Sequence, residues 1–316
     1  MTTAWASLRR KIVKFFSQQP LPQAAFQLTP RYLSGIRVSS PDRKIKHQFV
    51  FPFQGNVLNP SFYKKNMKDS AELDEGMKEG IAALQLAEQK IVFLLPELSQ
   101  KAFVFSFDSL PASKKEQEQI LLFRIKKQIP VLPEDIRLSF DVLSANAIKK
   151  VLVTIVRESV VKEYENFFSK HRLKVGIVGV PSLSLYNLIS GAHDEDYMLI
   201  DVENDSFSLL GVVNSEVSLY RQKHFAEDFH DDRDFKDKWM NVVQEIENTA
   251  NFIEDKEKRK ISCFWVRFGV FDQGEEALKV LKDQCRCPVH PIESALSSQL
   301  PEHEKKLLSP LIGQIL

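Results

Sequence analysis

From residue 24 onward, short apolar runs alternate with stretches of helical period. Phe26-Gln27-Leu28, Leu33 to Val38 and Gln48 to Phe53 predict strands, with Ser39-Ser40-Pro41-Asp42 as a turn signal between two of them. Residues 68–89 predict a helix, with Leu73, Met77, Ile81, Leu84 and Leu86 roughly in period. Lys90 to Leu95 predicts a short apolar strand, closed by Pro96. Ala102 to Phe107 alternates as a half-buried strand does, and Lys114 to Gln128 predicts a helix closed by Pro130 and Pro133. Ile136 to Leu143 and Val151 to Val156 predict two strands. A helix over Ser159 to His171, with Val160, Tyr164, Phe167 and Phe168 on one face, and a strand over Val175 to Val180 follow. The order strand, helix, strand, strand, helix, strand is the split β-α-β arrangement, which predicts a compact α+β unit over about 101–180.

After a short helix at 181–192, strands over Met198 to Val202, Phe207 to Val213 and Glu216 to Arg221 predict a meander. The helix Trp239 to Ile253, the strand Ile261 to Phe268 and the helix Glu275 to Cys285 complete the periodic segments. The apolar tail 307–316 is expected to pack. No internal sequence repeat is visible. The polar stretch Gly191 to Asp196 marks a domain boundary, giving units of 21–194 and 195–316.

Residues 1–20 stand apart. Trp5, Leu8, Ile12, Phe15 and Phe16 recur at helical spacing, Arg9, Arg10, Lys11 and Lys14 crowd the other side, and no acid precedes Asp42. This predicts a basic amphipathic helix ended by Pro20 and Pro22, suited either to lying in a membrane interface or to docking on its own domain or a partner. No run reaches the length of a membrane span and no signal-peptide core is present, so the chain is expected in the cytoplasm or on the cytoplasmic face of a membrane.

Composition narrows the function. Lys and Arg number 43 against 42 Asp and Glu in 316 residues, which removes the footprint of a general nucleic-acid binder. Cys263, Cys285 and Cys287 form no disulfide framework and no zinc spacing. His224 and His230 lie near Asp228, Asp231, Asp232 and Asp234, but a solvated charged loop is the expected reading. Only 11 glycines are present, about half the usual share of roughly 7%. There is no GxxxxGK[ST] and no GxGxxG, so neither a P-loop nor a Rossmann nucleotide site is expected.

The helix ending Lys126-Lys127-Gln128-Ile129-Pro130 and the run Leu132-Pro133-Glu134-Asp135 to Leu143 resemble the PilM family of type IV pilus assembly proteins. So do Glu163 to Phe168, the strand Tyr197 to Val202 and the terminal Leu311 to Leu316, by order of elements more than by identity. The resemblance, over roughly residues 24–316, implies a two-lobed actin-like (ribonuclease H-like) α/β fold with a small α+β subdomain inserted in the first lobe. It also implies ATP held by three short motifs, each of which departs here from the family pattern. Thr29 stands where the first phosphate loop has Asp, and Pro30 and Arg31 replace small residues. In the second loop Asp201 matches, but Glu203 replaces Gly and Asp205 adds another carboxylate. In the adenosine motif Gly269 survives, followed by bulky Val270 and Phe271.

Asp201 and Gly269 are therefore the positions left to contact a nucleotide, and no cofactor is expected, ATP with magnesium being the alternative. The implied function is a cytoplasmic scaffold peripheral to the inner membrane. It would bind the cytoplasmic N-terminal peptide of a PilN-like membrane protein in a groove between first lobe and insert, and couple to pilus motors or platform. A type II secretion counterpart, or an active ATPase using Asp201 as the metal-orienting acid, are the other readings. Of the membrane-contact candidates, Trp5, Leu8, Arg9, Arg10, Lys11, Ile12, Lys14, Phe15 and Phe16 carry the expectation.

Overall fold

The computed structural model describes residues 21–315 except 41, 56, 144–147, 190–194, 227–228, 230–233 and 293–299. The predicted helix 1–20 and the membrane-contact candidates within it lie outside the described residues.

Two five-stranded sheets of identical plan form the molecule. The first comprises β1 (Ala24–Leu28), β2 (Tyr32–Val38), β3 (Ile45–Pro52), β4 (Gln89–Leu94) and β8 (Leu173–Gly179), in the order β3-β2-β1-β4-β8. The second comprises β9 (Tyr197–Val202), β10 (Ser206–Val213), β11 (Glu216–His224), β12 (Cys263–Phe268) and β13 (Val289–Pro291), in the order β11-β10-β9-β12-β13. In each, three antiparallel strands form a meander and the last two join in parallel on the far side of the first. The architecture repeats although the sequence does not. Burial dictates the same topology through different side chains.

Each sheet is covered on both faces, as parallel strands require. Over the first lie α1 (Ala71–Ala83) and α3 (Glu158–Lys170), whose Tyr164 and Phe168 rings each lie tilted with centres 5.0 Å from that of Phe93. On its other face α7 (Glu302–Ile315) packs Leu308, Leu311, Ile312 and Ile315 over Ala25, Ile36, Val92 and Leu94. The second sheet is covered by α5 (Phe235–Glu257) and α6 (Gly274–Gln284) on one face, and by α4 (Pro181–Ile189), through Leu185 and Ile189, on the other. Among the described residues no helix is long and apolar enough to cross a membrane.

The insert is a three-stranded sheet, β5 (Gln100–Phe107), β7 (Lys149–Arg157) and β6 (Ile136–Val142), in the order β5-β7-β6, with α2 (Lys114–Gln128) on one face. Strand alternation serves two cores. Phe103, Phe105, Val151, Val153 and Ile155 face Leu121 and Ile125 of α2, while Ala102, Val104 and Leu152 face the second lobe. Lys150 Nζ reaches Glu257 Oε2 of α5 at 2.8 Å. The insert is thus wedged against the second lobe.

Three expected boundaries are corrected. The insert ends at Arg157, not near 180: α3 and β8 return to the first sheet, where β8 pairs in parallel with β4. The split β-α-β pattern holds in sequence, but local alternation does not say which sheet a strand joins. Next, α7, expected in the second lobe, covers the first sheet, because that sheet's second apolar face has no other cover. Finally, α4, expected in the first lobe, packs on the second sheet.

The helices α4 and α7 cross between the lobes, and Gly313 sets their distance. A Cβ there would collide with the Ser184 carbonyl oxygen and lie 2.8 Å from its carbon, while Ser184 Oγ donates to Gln314 Oε1 at 2.8 Å. A Gly to Ala change inside a helix ordinarily stabilises by about 1 kcal/mol. Here Gly313→Ala is expected to destabilise by about 1–3 kcal/mol, the usual cost of overpacking, read as a lowered urea midpoint with the m-value unchanged.

Candidate functional site

The cleft between the lobes is built around a guanidinium. Arg267 lies in β12, an interior strand of the second sheet, and is 0% exposed. An arginine there must find its counter-charges inside the protein. The parallel register sets Arg267 beside Asp201 of β9, and Arg267 Nη1 donates to Asp201 Oδ1. Arg267 Nη2 donates to Glu203 Oε1 at 2.6 Å and to the Tyr32 hydroxyl at 2.8 Å. Tyr32 Oη in turn donates to Glu203 Oε1 at 3.1 Å. Tyr32 opens β2 in the first lobe, so the network joins the two lobes.

A further donor, Arg267 Nε, reaches the Lys306 carbonyl of α7 at 2.7 Å. That carbonyl, which also accepts from Ser309 Oγ at 3.1 Å, lacks its helical donor because Pro310, four residues on, has no N–H to return to it. The fork of the guanidinium suits this arrangement, since it offers donors in fixed directions at once.

All three expected motifs meet at this network. Thr29 Oγ1 accepts from the N–H groups of Arg31 and Tyr32, closing the β1–β2 turn on itself. Glu203 swings its carboxylate over Gly269, where a Cβ would stand 2.6 Å from Oε1. The glycine that survives thus makes room for a side chain of the same protein. Phe271 is buried among Trp239 and Phe268, with ring centres 5.7 and 5.8 Å away.

A third carboxylate completes the cleft. Glu97 accepts from Ser182 N, in the first turn of α4, at 2.6 Å, from Tyr220 Oη of β11 at 2.5 Å and from Gln100 Nε2 at 3.0 Å. The head of α4 is where an anion would bind, and a glutamate already sits there. The cavity left among Gln27, Thr29, Pro30, Glu97, Pro181, Glu203 and Asp205 is about 20 Å³, room for one or two waters. In this arrangement the residues do not fit a magnesium-bound triphosphate. The guanidinium is already committed, the carboxylates point inward and Pro30 removes a donor.

Asp201 binds Arg267, and Gly269 lies under the Glu203 carboxylate. Arg267, Tyr32, Glu97 and Pro310 were not singled out. A charged residue within Cys263-Phe264-Trp265-Val266-Arg267-Phe268, and a proline inside an apolar tail, were the signals available. Among the described residues no cluster of three or more His, Cys, Asp or Glu side chains is arranged to hold a metal ion.

Two lobes of one topology around a cleft, with a subdomain inserted in the first, define the actin-like ATPase fold. The chain is similar to the PilM–PilN type IV pilus biogenesis complex, with a TM-score of 0.77 and 15% identity over 93% of this chain and 98% of that one. It is also similar to a Bacteroides thetaiotaomicron protein of actin-like ATPase fold and unknown function (TM-score 0.50, 10% identity, 90% of this chain and 94% of that one). A third likeness is to the cytoplasmic domain of EpsL, an inner-membrane component of the type II secretion system of Vibrio cholerae (TM-score 0.50, 10% identity, 92% and 94%). No protein-family model matches the chain, and no curated protein matches it in sequence.

Burial sets the protonation of the cluster. Asp201 and Glu203 flank the guanidinium, while Glu97 is held by Ser182, Tyr220 and Gln100. Desolvation raises Glu97, with the Asp201 charge adding to it. Burial also raises Asp201 against the pull of Arg267. Glu203 is pushed up to about 7 by burial, against Arg267 and with Asp201.

Removing the guanidinium leaves carboxylates buried without a counter-charge. Arg267→Met is expected to cost about 3–5 kcal/mol, measured by urea unfolding. Because Glu203 keeps its proton to about pH 7 folded but only to its usual 4.5 unfolded, the folded state binds more protons between those values. Stability contributed by this group is therefore full below pH 4.5 and falls as pH rises toward 7. Unfolding midpoints taken across this range should decline less steeply in Glu203→Gln than in the parent.

Proposed function

We propose that this protein is a PilM-like scaffold of a type IV pilus or related type II secretion assembly, working at the cytoplasmic face of the inner membrane without hydrolysing ATP. The observation that carries the reading is the Arg267 network. In an actin-like fold, a nucleotide in the cleft couples the two lobes. Here a guanidinium, two carboxylates, a tyrosine and a helix carbonyl make that connection with no ligand. A chain that retains this fold, with its cleft filled by its own side chains, is suited to presenting surfaces rather than to turnover.

The partner in this reading is the cytoplasmic N-terminal peptide of a PilN-like membrane protein, held between first lobe and insert, with pilus motors or platform as further contacts. Two strands offer edges for it. β6 ends the insert sheet and β8 ends the first sheet, and neither pairs with a further strand among the described residues. An extended peptide adds to such an edge through main-chain hydrogen bonds, with alternate side chains giving specificity. The wedged insert supports the same reading, because a groove between rigid parts binds with less ordering cost.

Saturating ATP with magnesium is expected to leave the melting temperature unchanged, whereas a ligand at 100 times its Kd would add about 2.7 kcal/mol of stability. A rise of several degrees would instead support an active ATPase. Fluorescence anisotropy with labelled N-terminal peptides of the PilN-like protein encoded nearest this gene should show saturable binding. Failure of every such peptide to bind would remove the scaffold reading.

A further inference from the structure

The insert carries a surface that its own packing leaves unexplained. α2 turns Leu121 and Ile125 inward, and Ile129 follows them into the core. Its outer side ends in Phe123, Arg124, Lys126 and Lys127, followed by Pro130 and Val131. Val131 is 83% exposed and Phe123 59%, the two most exposed large hydrophobics among the described residues. They fall within nine positions of each other. Lys127 Nζ lies 4.5 Å from the centre of the Phe123 ring, and the Arg124 guanidinium 5.4 Å from that of Phe107. No acid occurs between Glu118 and Glu134, and Asp135 is paired with Arg157 at 2.8 Å.

We propose that the end of α2 and the turn after it form a contact for an anionic lipid bilayer, with Phe123 and Val131 entering the headgroup layer and Arg124, Lys126 and Lys127 meeting the lipid charge. Apolar tips flanked by long basic side chains are the composition that lies in a membrane interface, since the stems bury while the charges stay wet. The site projects. Val131 stands clear of the protein on a turn, whereas a stable protein partner requires a continuous patch of about 800 Å² on each side. Charge complementarity then selects the occupant. Each basic side chain close to an anionic leaflet strengthens binding roughly fivefold, and the last turns of α2 supply three with no acid between them. The residues of this contact lie on α2 and the turn after it, in neither β6 nor β8.

The test is co-sedimentation of the full chain with phosphatidylcholine vesicles, with and without phosphatidylglycerol. The parent should bind only the anionic vesicles and be released by high salt. Lys126→Glu with Lys127→Glu should weaken binding at least about twentyfold, and Phe123→Ser with Val131→Ser should weaken it severalfold. Both pairs are exposed, so unchanged melting temperatures are expected and would establish that the variants are folded. The control is Trp5→Ser with Phe15→Ser and Phe16→Ser in the full chain. Loss confined to that control, with both α2 variants binding like the parent, overturns the proposal. So does a parent that ignores anionic vesicles, or one that binds neutral and anionic vesicles equally. The peptide anisotropy measured on the α2 variants should be unchanged, which separates this surface from the groove.

Discussion

One arginine in the wrong-looking place organises the molecule. Moving a guanidinium from water into the interior costs several kcal/mol unless partners surround it. Arg267 meets that demand with groups from three separated segments: Asp201 and Glu203 at the end of β9, Tyr32 at the start of β2, and the Lys306 carbonyl of α7. None of these partners is optional, because an unsatisfied charge at 0% exposure has no water to turn to. The lobes close where these groups meet, and Pro310 is part of the arrangement because it leaves a helix carbonyl without its usual donor.

The glycines take their meaning from the same close packing. Among the described residues no glycine has a left-handed φ, while Arg43, Gln85, Arg172, Asn214, Ser215 and Lys258 do. The left-handed turn positions are filled by other residues, and several glycines instead stand at close approaches. Gly313 lets α7 touch the backbone of α4, and Gly269 lets the Glu203 carboxylate turn toward Arg267. A second consequence is the wedged insert. Its alternating strands have one apolar face for α2 and another for the second lobe, so any opening of the cleft must also disturb the β5–β11 side.

Much of this was legible along the chain. The helix over Lys114 to Gln128 was read to the residue, because Pro130 stops it abruptly. The meander β9-β10-β11 followed from short apolar runs with polar breaks. Assignment of elements to sheets was not legible. β8 alternates much as β6 and β7 do, and only its pairing with β4 puts it in the first lobe. The amphipathic face of α7 predicted that it would pack, but not that the first sheet lacked a cover. At the site, Asp201 and Gly269 stood out by position, while Tyr32 and Glu97 look like ordinary residues until the fold brings them within hydrogen-bonding distance.

The two-lobed plan with its insert was implied by the family resemblance; by itself the sequence determined the order and nature of the elements and the poverty of glycine at three turns. These follow from periodicity and residue type, which are local. Only the tertiary structure decided what occupies the cleft. The Arg267 network draws on positions 32, 201, 203, 267 and 306, and no local rule connects residues so far apart. Burial makes the connection, because a charge removed from water must take its partners from whatever segments the fold brings within reach.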